Sequence, residues 1–184
     1  MKRKLALIFA TLALVLAAST AIYPQKRIGP KFSDWGPVAP LPSPINSVYD
    51  DQAAVLSKDE RTIYFSSNRP GSINGSRDIW VSTRRTKNSP WREPVHLGPV
   101  INSPGTELVR SLTSDGRFLL FQSDRSDGGY GLADIWVIAR KHTNDEFDWS
   151  EPVNLGSVIN TPFTELASNY LFADAGRIKK LFFS

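Results

Sequence analysis

Short apolar runs broken by turn residues fill most of this chain, and they return in the same order about every 56 to 58 residues. In the later copy, residues 107–113 read as one strand and 118–123 as its return. Between them Ser114-Asp115-Gly116-Arg117 reads as a tight turn built on Asp-Gly. A loop holding Gly128, Gly129 and Gly131 leads to a third strand at 134–140. The polar segment 141–148 then leads to a fourth at 149–155, closed by Gly156. The earlier copy repeats the order at 51–57, 62–67, 78–84 and 91–97, with Asp59-Glu60 where the later copy has Asp-Gly.

The pattern is incomplete at both ends. Residues 35–41 match the fourth strand at 91–97, with no preceding three. A third copy supplies only a first strand near 166–172 and a second near 178–184, with one more residue in its turn, Asp174-Ala175-Gly176-Arg177. Four antiparallel strands per unit describe one blade of a β-propeller, whose rings ordinarily hold about four to eight blades. The expected fold is therefore all-β: an incomplete propeller with an outer strand, two full blades at 51–98 and 107–156, and half a blade at 165–184. A ring of six at this period needs about 340 residues. A self-standing sheet and a ring completed between subunits stand beside that reading.

The N-terminus changes the charge picture. Lys2, Arg3 and Lys4 precede an uncharged apolar run from Leu5 to Ala18, and Ser19-Thr20-Ala21 follows as a small-x-small cleavage site. Residues 1–21 read as a signal-peptide helix and 22–34 as a flexible arm. The run is about 14 residues, short of the roughly 20 of a membrane-spanning helix, so membrane attachment is expected only if the leader stays uncleaved. Its removal takes three of the 22 basic residues and none of the 18 acidic ones, so the net charge falls from +4 to +1. A nucleic-acid partner, which needs a basic stripe on the mature domain, loses its support. With no Cys, an exported domain of this size rests on packing and not on disulfides.

Two stretches carry a family likeness. Tyr64-Phe65-Ser66-Ser67-Asn68-Arg69-Pro70-Gly71 with Asp78-Ile79-Trp80-Val81-Ser82, and Phe121-Gln122-Ser123-Asp124-Arg125 with Asp134-Ile135-Trp136-Val137, resemble the TolB-like, WD-type β-propeller repeat of exported bacterial proteins. The resemblance covers about residues 35–184. It implies a periplasmic or extracellular scaffold that binds other proteins, in some members fused to a peptidoglycan-binding domain or a peptidase.

The repeat accounts for much of the candidate chemistry. All five Trp fall on shared positions, Trp35, Trp91 and Trp149 on one and Trp80 and Trp136 on the other, which favours core packing over a sugar platform. Asp51, Glu107 and Glu165 each stand five positions after an Asn, namely Asn46, Asn102 and Asn160. In a ring these acids would rim the channel mouth and attract a cation or a basic peptide. The alternative is that each accepts hydrogen bonds from its crossover loop, and that the Asn residues make Asx-type turns. The loop from Asp124 through Asp127 to Asp134 superficially resembles a calcium loop, but its last Asp is one position late. The alternative has Asp78 and Asp134 capping the turns before their strands, with Arg69 and Arg125 near enough to pair with them.

No catalytic constellation is written in the chain. Of its two His, His96 stands where the later copy has Asn154, and His142 lies in a polar loop. No nucleophile elbow, zinc-binding His pair or phosphate-binding Gly loop is present. The expected function is a non-enzymatic, exported module for protein binding, a fragment of a longer propeller, with no cofactor and with open edge strands able to self-associate. The alternative is the propeller part of a carbohydrate-acting hydrolase or lyase, or of a peptidase, whose remaining parts lie elsewhere.

Overall fold

In a computed structural model the described residues are 36–166, 169–170, 173–174, 177–178 and 181–183. The expected leader, the arm and Trp35 lie outside them. Two four-stranded antiparallel sheets dominate. The first is built from β1 (Asp51–Leu56), β2 (Thr62–Ser67), β3 (Asp78–Thr83) and β4 (Val95–His96), in the order β1-β2-β3-β4. The second repeats that order with β5 (Glu107–Leu112), β6 (Phe118–Ser123), β7 (Asp134–Ala139) and β8 (Val153–Asn154). In the third copy β9 (Asn169–Tyr170) pairs with β12 (Leu181–Phe182), and β10 (Ala173–Asp174) pairs with β11 (Arg177–Ile178). Ala39–Ser184 forms one compact unit.

The first hairpin of each sheet is closed by a hydroxyl and a carboxylate working together. Ser57 and Thr113 donate to Asp59 and Asp115 at 2.7 and 2.6 Å. Their hydroxyls in turn accept the Thr62 and Phe118 amides at 2.9 Å. The third loop residue must then be left-handed: Gly116 has φ 70°, and its counterpart Glu60 sits at φ 57°. Glycine reaches that region freely and a residue with a Cβ does not.

β2 is buried along its whole length, which explains why it reads Thr-Ile-Tyr-Phe-Ser-Ser without alternation. One of its faces carries Tyr64, with Ile79 and Val81 beside it on β3; the other carries Ile63 and Phe65, with Trp80. Tyr64, Ile79 and Val81 share a cluster with Leu119, Phe121, Trp136 and Ile138 of the second sheet. Ile63, Phe65 and Trp80 gather with Ile45 and Trp91 on the opposite side. The tryptophan-bearing face of one sheet thus packs on the tryptophan-free face of the one before. Burying a side chain as large as Phe121 is worth about 1.5 to 3 kcal/mol.

Backbone bonds tie the copies together. Glu107 N donates to Arg77 O at 2.7 Å, and at the equivalent place Glu165 N donates to Ala133 O at 3.0 Å. Val109 N donates to Ser66 Oγ at 2.9 Å across the sheet interface.

The fourth strands are shorter than the expected 91–97 and 149–155, each holding only two residues. Pro94 and Pro152 interrupt them, because proline has no amide to donate. Pairing resumes on both sides: Arg92 N reaches Thr83 O at 2.9 Å, and Leu97 N reaches Ile79 O at 3.2 Å. The third copy likewise shows two-residue strands in place of the longer pair expected there.

Candidate functional site

Each expected rim carboxylate folds onto its own crossover loop. Asp51 accepts the Ser47 amide at 2.7 Å, Glu107 the Ser103 amide at 3.2 Å and Glu165 the Thr161 amide at 3.0 Å, and in all three the same residue's hydroxyl donates as well. Ser67 and Ser123 add donors to Asp51 and Glu107 at 2.6 and 2.8 Å. Glu107 is fully buried, at 0% exposure, and Glu165 is at 4%.

Arg69 and Arg125 pair with these carboxylates and not with Asp78 and Asp134, which corrects the sequence expectation. Arg69 lies 2.7 Å from Asp51, and Arg125 lies 3.3 Å from Glu107. The register decides it: Asp51 sits opposite Ser67 and Glu107 opposite Ser123, so the arginine two residues on comes beside the first strand. The guanidinium then stacks on the sheet's own aromatics. Arg69 lies 4.7 Å from the Phe65 centroid, and Arg125 lies 4.8 Å from that of Trp136.

The two equivalent acids are tuned in opposite directions. Burial raises the Glu107 carboxyl above its ordinary range, and bonds from Ser103 and Ser123 with the Arg125 charge only partly offset this. Burial also acts upward on Asp51, but bonds from Ser47, Ser67 and Arg69 outweigh it and hold that carboxyl low.

A second buried station lies where β3 or β7 begins. Asp78 accepts from the Ile73 amide at 2.7 Å and from His96 Nε2 at 2.6 Å. Asp134 accepts from the Tyr130 amide at 2.5 Å and from Asn154 Nδ2 at 2.8 Å. His96 Nδ1 takes the Gly98 amide at 3.1 Å, as Asn154 Oδ1 takes the Gly156 amide at 2.8 Å. Both ring nitrogens of His96 therefore already have partners in the fold, and neither is left to activate a hydroxyl or a water.

Asn102 and Asn160 do not make the expected Asx turns. Each reads the backbone of a distant strand as a neighbouring strand would. Asn102 Oδ1 accepts the Ile79 amide at 2.7 Å while Nδ2 donates to Ile79 O at 3.1 Å. Asn160 does the same to Ile135 at 2.9 and 3.1 Å. Asn46 is exposed, and its side chain has no partner among the described residues.

The Gly-rich loop is shaped by close packing. A Cβ on Gly131 would lie 2.1 Å from Thr161 O and 2.4 Å from Phe163 O, so this glycine admits the crossover to the third copy. Asp124 holds the Thr106 amide at 2.5 Å, Asp127 is exposed on the loop, and Asp134 turns inward to its own station. Among the described residues, no three His, Cys, Asp or Glu side chains gather closely enough to share a cation.

Clefts open instead at the hairpin-turn end, between the two sheets. Three connected clefts of about 440, 510 and 580 Å³ meet around Glu146, which comes from the 141–148 loop. Glu146 is itself spent on the interface: it accepts from Thr62 at 3.0 Å, from the Tyr64 hydroxyl and from Arg140 at 2.8 Å. The middle cleft is lined by Arg61, Arg84, Arg85 and Arg92. Arg84 and Arg140 hold the turn carbonyls of Glu60 and Gly116, each at 2.7 Å, and lie 4.2 and 4.6 Å over Trp91 and Trp149. Spacing alone does not single out Arg84, Arg140 or Glu146 as site residues. Arg84 and Arg140 are signalled by their shared place in the repeat, and Glu146 by the greater length of its loop than that of 85–90.

Comparison with protein-family models, with curated proteins and with solved structures gave no match.

Proposed function

We propose that this chain is an exported, non-enzymatic binding scaffold assembled from propeller-type repeats of the kind its Asp-Ile-Trp elements resemble. One observation carries the reading: the side chains that look most like catalytic parts are matched from copy to copy and spent on the fold. His96 and Asp78 form a partly buried acid–imidazole pair, and in the next copy Asn154 and Asp134 keep the bond to the acid without an imidazole. Glu107 faces Ser103, Ser123 and Arg125 and has no exposed surface.

The ring-like reading draws support from the stacking. β5 lies against β1, and β9 against β5, so the first strands of successive copies are neighbours, as the innermost strands of a propeller are. Export rests on the basic, apolar and small-residue order of residues 1–21. Among the described residues no helix is long and apolar enough to cross a membrane. The working surface is the cleft system at the turn end, where exposed charge and exposed apolar groups occur together, and the partner is a protein.

The test is an activity screen of the full chain on glycan, ester and peptide substrates beside a Glu107→Gln variant. The expected result is no turnover by either protein. Turnover that Glu107→Gln abolishes, in a variant whose circular dichroism is unchanged, would overturn the reading in favour of an enzyme.

A further inference from the structure

The arginines of the middle cleft are more numerous than the fold requires. Arg84 is fixed by Glu60 O and by Trp91 and pairs with the Glu60 carboxylate at 3.9 Å, but Arg85 and Arg92 are exposed and have no side-chain partner among the described residues. Arg61 reaches only Asp59 of its own turn, at 4.0 Å. The two carboxylates lining this cleft are already engaged, Glu146 by Arg140 and Asp59 by Ser57 and the Arg61 amide. Repeat equivalence does not explain Arg92, since the later copy has Ser150 in its place. Its backbone is nevertheless pinned, by Thr83 O at 2.9 Å on one side and Ser82 Oγ at 2.6 Å on the other. The guanidinium is thus carried on a rigid base.

The neighbouring cleft shares Thr83, Arg92, Asn144 and Glu146 with the first and adds an apolar wall. Val95 is 49% exposed there and Phe147 is 55% exposed. Glu93 and Asp145 stand at the same end. A groove that is basic at one end, and apolar with acidic borders at the other, matches a chain of discrete charges and repels a continuous polyanion.

We infer that this groove binds an extended peptide segment, whose carboxylates meet Arg61, Arg84, Arg85 and Arg92 and whose following apolar side chain lies against Val95 and Phe147. The inference rests on the binding-scaffold reading and gives that reading a ligand class. Planar guanidinium groups suit bidentate contact with carboxylates. Arg84, already stacked and bonded, loses little freedom on meeting one.

The probe is a fluorescein-labelled peptide of alternating Glu, Ser and Phe, titrated against the full chain by anisotropy at low and raised salt. Competitors are the same peptide with Gln for Glu, the same with Ser for Phe, inorganic phosphate and a single-stranded oligonucleotide. The expected result is saturable binding that weakens with salt and falls about tenfold in the Arg85→Glu, Arg92→Glu double variant. Arg92→Ser, which installs the later copy's residue, is expected to weaken it in the same direction with unchanged melting. Gln and Ser peptides are expected to compete poorly. Absence of saturable binding, binding indifferent to both arginine variants, or competition by phosphate or oligonucleotide as strong as by the peptide would each overturn the inference. None of these outcomes touches the scaffold reading, which falls on hydrolytic turnover.

Discussion

His96 donates from Nε2 to Asp78 Oδ2 across 2.6 Å, while its Nδ1 accepts the Gly98 amide at 3.1 Å. The tautomer follows from those two bonds, since a nitrogen that accepts an amide proton cannot carry one. Asn154 offers the same pair of groups, an N–H to Asp134 and an oxygen to Gly156. An imidazole and an amide serve these two bonds alike, while Asn154 Oδ1 also accepts from Asn160 Nδ2 at 2.7 Å, a bond that the protonated Nε2 of His96 cannot offer Asn102.

His96→Asn is therefore expected to fold with stability within about 1 kcal/mol of the parent, whereas His96→Ala loses about 1 to 3 kcal/mol by leaving buried Asp78 short of a donor. Urea denaturation of the three proteins at one pH checks this. Equal losses for the two variants would show that the ring's shape matters and its hydrogen bonds do not.

Asn102→Ala removes both bonds that hold the Ile79 backbone, one donor and one acceptor in a buried place. The expected loss is about 2 to 4 kcal/mol. Asn102→Asp should be nearly as costly, because a carboxylate cannot donate to Ile79 O. Amide hydrogen exchange at Ile79 reads the local effect directly, and unchanged protection there in Asn102→Ala would refute it.

Glu60→Gly is expected to raise stability by about 0.5 to 1 kcal/mol, since Glu60 holds φ 57° where the later copy has glycine. The reverse change, Gly116→Glu, should destabilise, because φ is 70° and an added Cβ meets Arg140 Nη2 at 3.2 Å. The shift in urea midpoint, at constant denaturant dependence, measures both.

Glu107 and Asp51 are expected to impose opposite pH dependences. The Asp51 carboxyl is lowered from 3.8, so its contribution is present above that pH and is lost as the pH falls through the folded value. The Glu107 carboxyl is raised from 4.5, so its contribution is present below that pH and is lost as the pH rises through the folded value. Carboxyl carbon chemical shifts followed by NMR would place the Asp51 midpoint below 3.8 and the Glu107 midpoint above 4.5. Stability profiles of Asp51→Asn and Glu107→Gln should flatten on opposite sides of that interval.

Much of the architecture was legible in the chain. The three long strands of each copy, the four-residue hairpin loops and the placement of Trp80, Trp91 and Trp136 in the core follow from local rules, because short apolar runs, turn chemistry and aromatic bulk act within a few residues. The fourth strands are shorter than their apolar ends suggest, because Pro94 and Pro152 set the limit. The fate of the polar residues was far less legible. Spacing leaves two readings for the loop acids and crossover asparagines, a channel rim or local loop and turn bonding, and it does not identify the partners of Arg69 and Arg125.

The sequence by itself determined that the described chain is a repeated set of antiparallel strands, because a fixed period with matched turns leaves the backbone few other pairings. The tertiary structure alone decided that Arg69 and Arg125 choose Asp51 and Glu107, that Asn102 clamps Ile79, and that Arg61, Arg84, Arg85 and Arg92 line one groove. A hydrogen bond or ion pair acts over a few ångströms and in one direction. Its partner is set by strand register and by how one sheet lies on the next, and residues far apart in the chain meet only after both are in place.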